Sequence, residues 1–202
     1  MLAGHPRRCR KALTRWRRGL DRHAETSASR QITSALAYAH AAGDIVAIIG
    51  KPGRGKTWAT EYYCAGRTTA FNLFASGAVN SLPGFLSLVG EAIGVGRHHH
   101  SALEAERTII DRLRDRQALI VVDEAHLLRD KLLDELRIIR YRAGCGLALV
   151  ADETIRMALA RCQQEDGRIG LKSDLATQPT AHVEDIAAGV LGRAPPRWNS
   201  RR

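Results

Sequence analysis

The sequence predicts an α/β fold with a parallel sheet, and three observations carry that expectation. Short apolar runs rich in branched residues alternate with stretches of helical period. The first run ends in a glycine-rich turn that opens a helix, and the third ends in two adjacent acids. The longest uninterrupted apolar runs, among them Ile45–Ile49 and Ala118–Val122, are five residues each. A membrane span needs about 20 residues, so no transmembrane helix is expected. The basic N-terminus lacks the apolar segment of a signal peptide. At 202 residues the chain has room for one domain with tails, and too little for a two-lobed helicase motor.

The elements follow in order. Ser29 is placed to cap a helix over 30–42, with Ile32, Ala35, Leu36 and Ala39 on one face and Gly43 as its stop. Residues 44–49 (DIVAII) read as a buried parallel strand, followed by a helix over 57–65 and a second strand over 68–74. Pro83 suits the first turn of a helix reaching Ile93. A loop over 94–100 precedes a helix capped by Ser101 and running to Arg116. The third strand is 118–122, and a helix over 130–142 buries Leu132, Leu133, Leu136 and Ile139 before Gly144 ends it. A fourth strand over 147–151, a helix over 153–161, a short strand over 171–176 and a helical turn over 183–190 complete the reading.

Net charge is +10, from 31 Lys and Arg against 21 Asp and Glu. It is unevenly spread. Residues 1–30 carry +7 and residues 193–202 carry +4, leaving −1 for residues 31–192. The ends read as solvated tails or as arms that grip phosphates, where Trp16 and Trp198 are placed to stack on bases. Four cysteines, Cys9, Cys64, Cys145 and Cys162, have no C-x-x-C spacing, which points to free thiols in a reducing cytoplasm. Three consecutive histidines, 98–100, cannot readily converge on one ion and read as a polar linker.

Residues 50–57 (GKPGRGKT) fit the phosphate-loop pattern at every fixed position, with a strand before and a helix after. Such a loop wraps phosphates with its backbone N–H groups, so Gly50, Pro52, Gly53, Arg54 and Gly55 are candidate nucleotide contacts. Lys56 is placed to reach the β- and γ-phosphates, and the Thr57 hydroxyl to ligate Mg²⁺. Trp58 is counted with this group, although its place on the helix also suits packing. About 66 residues downstream, the strand ALIVV delivers Asp123 and Glu124 to the carboxyl edge of the sheet. Asp123 is the second candidate for Mg²⁺, and Glu124 the candidate for polarising an attacking water. Together the motifs predict nucleoside triphosphate binding and hydrolysis. His126 reads as a helix-start residue near the site. Asp152, after the fourth strand, is a helix N-cap, a γ-phosphate or water contact, or both.

With these motifs in order, the chain resembles the AAA+ ATPases that assist DNA transposition. It looks most like the transposition protein B group of Mu-like phages, with the target-selection ATPases of Tn7-like elements as relatives. The supporting residues are SRQITSALAYAHAAGDIVAIIGKPGRGKT, LIVVDEAHLL, LDELRIIRYRAGCGLALVADETI, GRIGLK and PTAHVEDI, within 29–187. The resemblance implies a three-layer P-loop NTPase sandwich that binds ATP and Mg²⁺ between subunits. It implies a homo-oligomer, ring or helical filament, on double-stranded DNA, a transposase partner, and no membrane partner. By position, Arg168 matches an arginine set near a neighbour's nucleotide, and Asp152 stands where the family commonly has a sensor Asn. The expected organisation is a basic arm over 1–28, the ATPase domain over 29–187 and a Pro/Arg-rich tail over 188–202, with the family's helical lid truncated or absent. Lys131, Arg137 and Arg140 are candidates either for DNA contact or for a solvated helix face. The alternatives left open are a helicase-loader or secretion-type ATPase, a small-molecule kinase, and a degraded, non-hydrolysing prophage remnant.

Overall fold

The computed structural model describes residues 26–96, 100–166 and 171–174. Residues 31–176 form one compact unit, and residues 1–30 with 177–202 are grouped in another, of which 26–30 are described. The expected boundaries of arm, domain and tail therefore turn mostly on residues outside those described.

The elements run α1 (Ser27–Ala42), β1 (Ile45–Ile49), α2 (Lys56–Ala65), β2 (Ala70–Phe74), α3 (Leu82–Ile93), α4 (Ala102–Leu113), β3 (Leu119–Asp123), α5 (Asp130–Ala143), β4 (Gly146–Ala151), α6 (Arg156–Asp166) and β5 (Leu171–Asp174). Two 3₁₀ turns, Ala125–Leu127 and Glu153–Ile155, follow β3 and β4. The five strands pair in parallel in the order β2-β3-β4-β1-β5. In the inner strands β1, β3 and β4 every residue is buried, which is why they read as unbroken apolar runs. Strand β2, at the sheet edge, is buried only in part.

One face of the sheet packs Val46, Ile48, Val121 and Val150 against Ile32, Leu36 and Ala39 of α1 and Ala59 and Tyr63 of α2. The other face carries α3, α4, α5 and the start of α6, through residues such as Phe85, Ile109, Leu136 and Leu159. Each fully buried leucine or isoleucine contributes roughly 1.5–3 kcal/mol. The helices after β1 and β3 thus lie on opposite faces, and the strand order reverses around β1. This arrangement opens a crevice at the carboxyl ends of the strands.

Several caps are those the sequence suggests. Ser81 accepts from Gly84 N at 3.3 Å with Pro83 in the first turn, and Ser101 accepts from Glu104 N at 3.1 Å. Gly144 ends α5 at φ 65°. The start of α1 differs from expectation. Thr26, not Ser29, is the cap: Ser29 N donates to Thr26 Oγ1 at 3.0 Å and Thr26 N donates to Ser29 Oγ at 2.9 Å. Ser29 therefore takes the reciprocal place in a capping box, one turn inside the helix. Helix α4 ends at Leu113 instead of Arg116, because Asp115 and Gln117 turn left-handed at φ 59° and 46°. The expected helix over 153–161 begins as a 3₁₀ turn. The turn expected at 183–190 lies outside the described residues.

The amino edge of the sheet is tied by polar contacts. His40, on the last turn of α1, lies 3.1 Å from Tyr63 Oη through Nδ1 and 3.1 Å from Thr69 Oγ1 through Nε2. Arg140 donates from Nε to Gly43 O at 3.0 Å and to Cys145 O at 3.2 Å, and lies 3.7 Å from Asp44. It pins the α1–β1 turn to the α5–β4 turn. Close contact there also explains Gly146, where a Cβ would stand 2.2 Å from Ala39 O.

Candidate functional site

The crevice at the carboxyl edge collects the chemistry-bearing side chains. Gly50 N donates to Ala151 O at 3.2 Å, so β1 and β4 stay paired up to the point where the chain turns. Gly53 and Gly55 are left-handed at φ 76° and 75°, a conformation that L side chains rarely adopt. With Gly55 as its N-cap, α2 begins without a side-chain cap hydrogen bond. An uncapped helix N-terminus facing a crevice favours an anion. Lys56, the first residue of α2, is buried, and its ammonium donates to Gly50 O at 2.6 Å and Lys51 O at 3.2 Å. Thr57 is exposed beside it.

Strand β3 carries Asp123 into the same crevice, fully buried. Its Oδ1 accepts from Glu124 N at 2.9 Å, while Oδ2 is buried with no hydrogen-bond partner among the described residues. Glu124 is itself left-handed, at φ 54° and ψ 36°, which for a non-glycine residue costs of order 1–3 kcal/mol. That conformation swings its side chain out of the strand, where it is one-third exposed.

The 3₁₀ turn that follows brings in His126. Its Nδ1 lies 3.4 Å from Glu124 Oε2, and its Nε2 lies 3.7 Å from Asp152 Oδ2 at the end of β4. Asp152 Oδ1 accepts from Thr154 N at 2.9 Å and from Thr154 Oγ1 at 2.5 Å. The Thr154 hydroxyl bond is the main reason its pKa falls below the ordinary value. Partial burial opposes this, while the Thr154 backbone N–H and the nearby His126 and Lys56 side chains lower it further. Asp152 is the N-cap of the second 3₁₀ turn, which is one of its two sequence readings, and it stands beside His126.

A family model described as AAA domain matches residues 40–159. The chain belongs to the AAA domain family. The match includes the loop, the acidic pair and Asp152. Among curated proteins, the Mu-like prophage FluMu DNA transposition protein B of Haemophilus influenzae is 30% identical over 131 residues, 65% of this chain and 46% of that protein. The ATP-dependent target DNA activator B of Escherichia phage Mu is 25% identical over 134 residues, 66% of this chain and 43% of that protein. The chain spans less than half the length of either relative. A solved structure, PCH-2 of C. elegans, aligns over 75% of this chain and 42% of its own, with a TM-score of 0.44 and 14% identity.

This AAA domain has the α/β P-loop NTPase architecture that the sequence suggests. Gly50, Pro52, Gly53, Arg54, Gly55, Lys56 and Thr57 lie on one turn, and Asp123, Glu124 and Asp152 line the strand ends next to it. Trp58 stacks on Tyr62 along α2, with ring centroids 5.9 Å apart, as a packing residue does. Arg168 lies outside the described residues, as do His98 and His99. Of the three basic residues weighed for DNA contact, Arg140 is occupied at the opposite edge of the sheet and Arg137 pairs with Asp134 at 3.1 Å. Lys131 is exposed.

The residues present fit a hard divalent cation. A fully buried carboxylate oxygen without a partner is costly, and a cation removes that cost. The donors on hand are oxygens, from Asp123 and Thr57. His126 stands in the 3₁₀ turn after β3, near the site as the sequence reading has it, but its place between two carboxylates was not legible. Its placement depends on a 3₁₀ turn and a left-handed Glu124, and neither leaves a periodic pattern. No helix among the described residues is long and apolar enough to cross a membrane.

Proposed function

We propose that this chain is an ATP hydrolase that binds double-stranded DNA in an ATP-dependent manner and assists a transposase in choosing its target. The observation that carries the ATPase reading is the convergence of three groups at one sheet edge: the Lys56 ammonium, the Asp123 Oδ2 without a partner among the described residues, and the outward-turned Glu124. The names of the relatives, transposition protein B and ATP-dependent target DNA activator B, support the biological setting.

In this reading Lys56 exchanges its bonds to Gly50 O and Lys51 O for bonds to the β- and γ-phosphates. The loop and α2 N–H groups, with Pro52 and Arg54 lining the turn, seat the remaining phosphate oxygens. Thr57 and Asp123 hold Mg²⁺, which offsets the charge of the phosphates. Glu124 polarises the attacking water, and Asp152 contacts that water or the γ-phosphate. Arg168 acts on the nucleotide of a neighbouring subunit, which makes the active form a homo-oligomer on DNA. The ATPase domain covers 29–187, and the basic ends, 1–28 and 188–202, add phosphate contacts.

The test is DNA binding by gel shift with ATP, with ADP and without nucleotide, across a salt series. Expected is tight binding with ATP, weak sequence preference and a steep fall with salt. Equal binding in all three nucleotide states contradicts the proposal.

A further inference from the structure

We propose that His126 is a positioning residue of the hydrolytic site, bridging the Glu124 and Asp152 carboxylates so that Glu124 is held toward the attacking water. The inference rests on the hydrolytic reading of Glu124.

The geometry is that of one ring between two acids. Nδ1 faces Glu124 Oε2 at 3.4 Å, and Nε2 faces Asp152 Oδ2 at 3.7 Å. The 3.4 Å separation is an ion-pair distance without the alignment of a hydrogen bond, and Nδ1 is buried with no hydrogen-bond partner among the described residues. A buried polar atom left this way is costly. A small rotation of the Glu124 carboxylate toward the ring removes the cost, so the ring draws that carboxylate to one side of the site.

The ring is a firm support. Its side chain is 17% exposed, and its turn is closed by Leu127 N donating to Glu124 O at 2.9 Å and Leu128 N donating to Ala125 O at 3.1 Å. Ala125 and Leu128 bury themselves in the core on either side. The far end is anchored as well, because Thr154 fixes Asp152 Oδ1 twice and leaves Oδ2 for the ring. The two 3₁₀ turns pack against each other. Glu124 lacks such support of its own: it sits on a left-handed residue outside the strand, one-third exposed. A carboxylate that must meet water in one orientation gains from a neighbour that limits its rotation.

The test is steady-state phosphate release by the full chain and its His126→Ala and His126→Asn variants, with ATP titration and thermal melting alongside. Expected for His126→Ala is a kcat about tenfold lower with KM for ATP within about twofold, the pattern of an effect confined to the chemical step. The Asn variant, which keeps a donor near the Nδ1 position that faces Glu124, restores part of the loss. Thr154→Val, which frees Asp152 Oδ1, lowers kcat in the same direction by a smaller factor. An unchanged kcat in His126→Ala overturns the inference while leaving the ATPase reading intact. So does a loss of kcat that comes with a raised KM and a lower melting temperature and is not restored by Asn. Absence of turnover in the parent chain overturns the hydrolytic reading itself, and this inference with it.

Discussion

The Lys56 ammonium donates a 2.6 Å hydrogen bond to the carbonyl oxygen of Gly50, the residue that opens its own loop. With the second bond to Lys51 O, Lys56 closes the loop on itself. In the proposed reading, ATP binding exchanges these two neutral acceptors for charged phosphate oxygens, and charge-assisted bonds are the stronger kind. Lys56→Ala is expected to weaken ATP affinity by about 10- to 100-fold, equivalent to roughly 1.5–3 kcal/mol. Titration with a fluorescent ATP analogue measures it, and unchanged affinity removes Lys56 from the site.

The left-handed glycines make a second expectation. No atom lies within 4 Å of a Cβ built on Gly55, so the cost of a side chain there is torsional alone. Gly55→Ala is expected to destabilise by about 1–2 kcal/mol, and Gly55→Asn by less, because Asn tolerates the left-handed region. Denaturant midpoints of the two variants decide this. Equal losses point to a steric cause in place of the torsional one.

His40 gives the fold a pH dependence. Burial pushes its pKa below the ordinary 6.5, outweighing a hydrogen bond to the Gln117 backbone that raises it, and the charge of Arg67 lowers it further. The folded state therefore prefers the neutral ring. Its stability contribution is complete above about pH 6.5 and is lost as pH falls through the depressed folded value. Melting temperatures between pH 7.5 and 5.5 are expected to fall more for the parent chain than for His40→Gln. Identical slopes contradict this role.

Cys64 and Cys145 are free, and burial raises their thiol pKa values to about 12 and about 11. Since the thiolate is the nucleophile, both are expected to resist alkylation at pH 8 in the folded chain and to react in denaturant. Peptide mapping after iodoacetamide treatment reads each site separately. Rapid modification of either in the native state contradicts its raised thiol pKa.

The sheet, its helices and the two motifs were legible because each leaves a local mark. Buried parallel strands leave apolar runs such as IVAII and LIVVD, helices leave their period, and a phosphate loop leaves glycines at fixed spacing. What escaped depends on contacts between distant residues or on turn geometry. Thr26 and Ser29 are both good capping residues, and choosing between them needs the reciprocal bonds. Arg140 looks like a solvated residue until Gly43, 97 positions earlier, is brought beneath it. His126 gains significance only when the end of β4 places Asp152 beside it.

The central claim is that Glu124 acts on water at a site that Lys56 and Asp123 prepare for ATP. Phosphate release with Mg²⁺ and DNA, compared between the parent chain and Glu124→Gln, tests it most directly. Expected is turnover by the parent chain, a loss of at least about 100-fold in Glu124→Gln, in the range removed with a general base, and ATP binding retained or tightened. Equal turnover in the two proteins would contradict the assignment of Glu124.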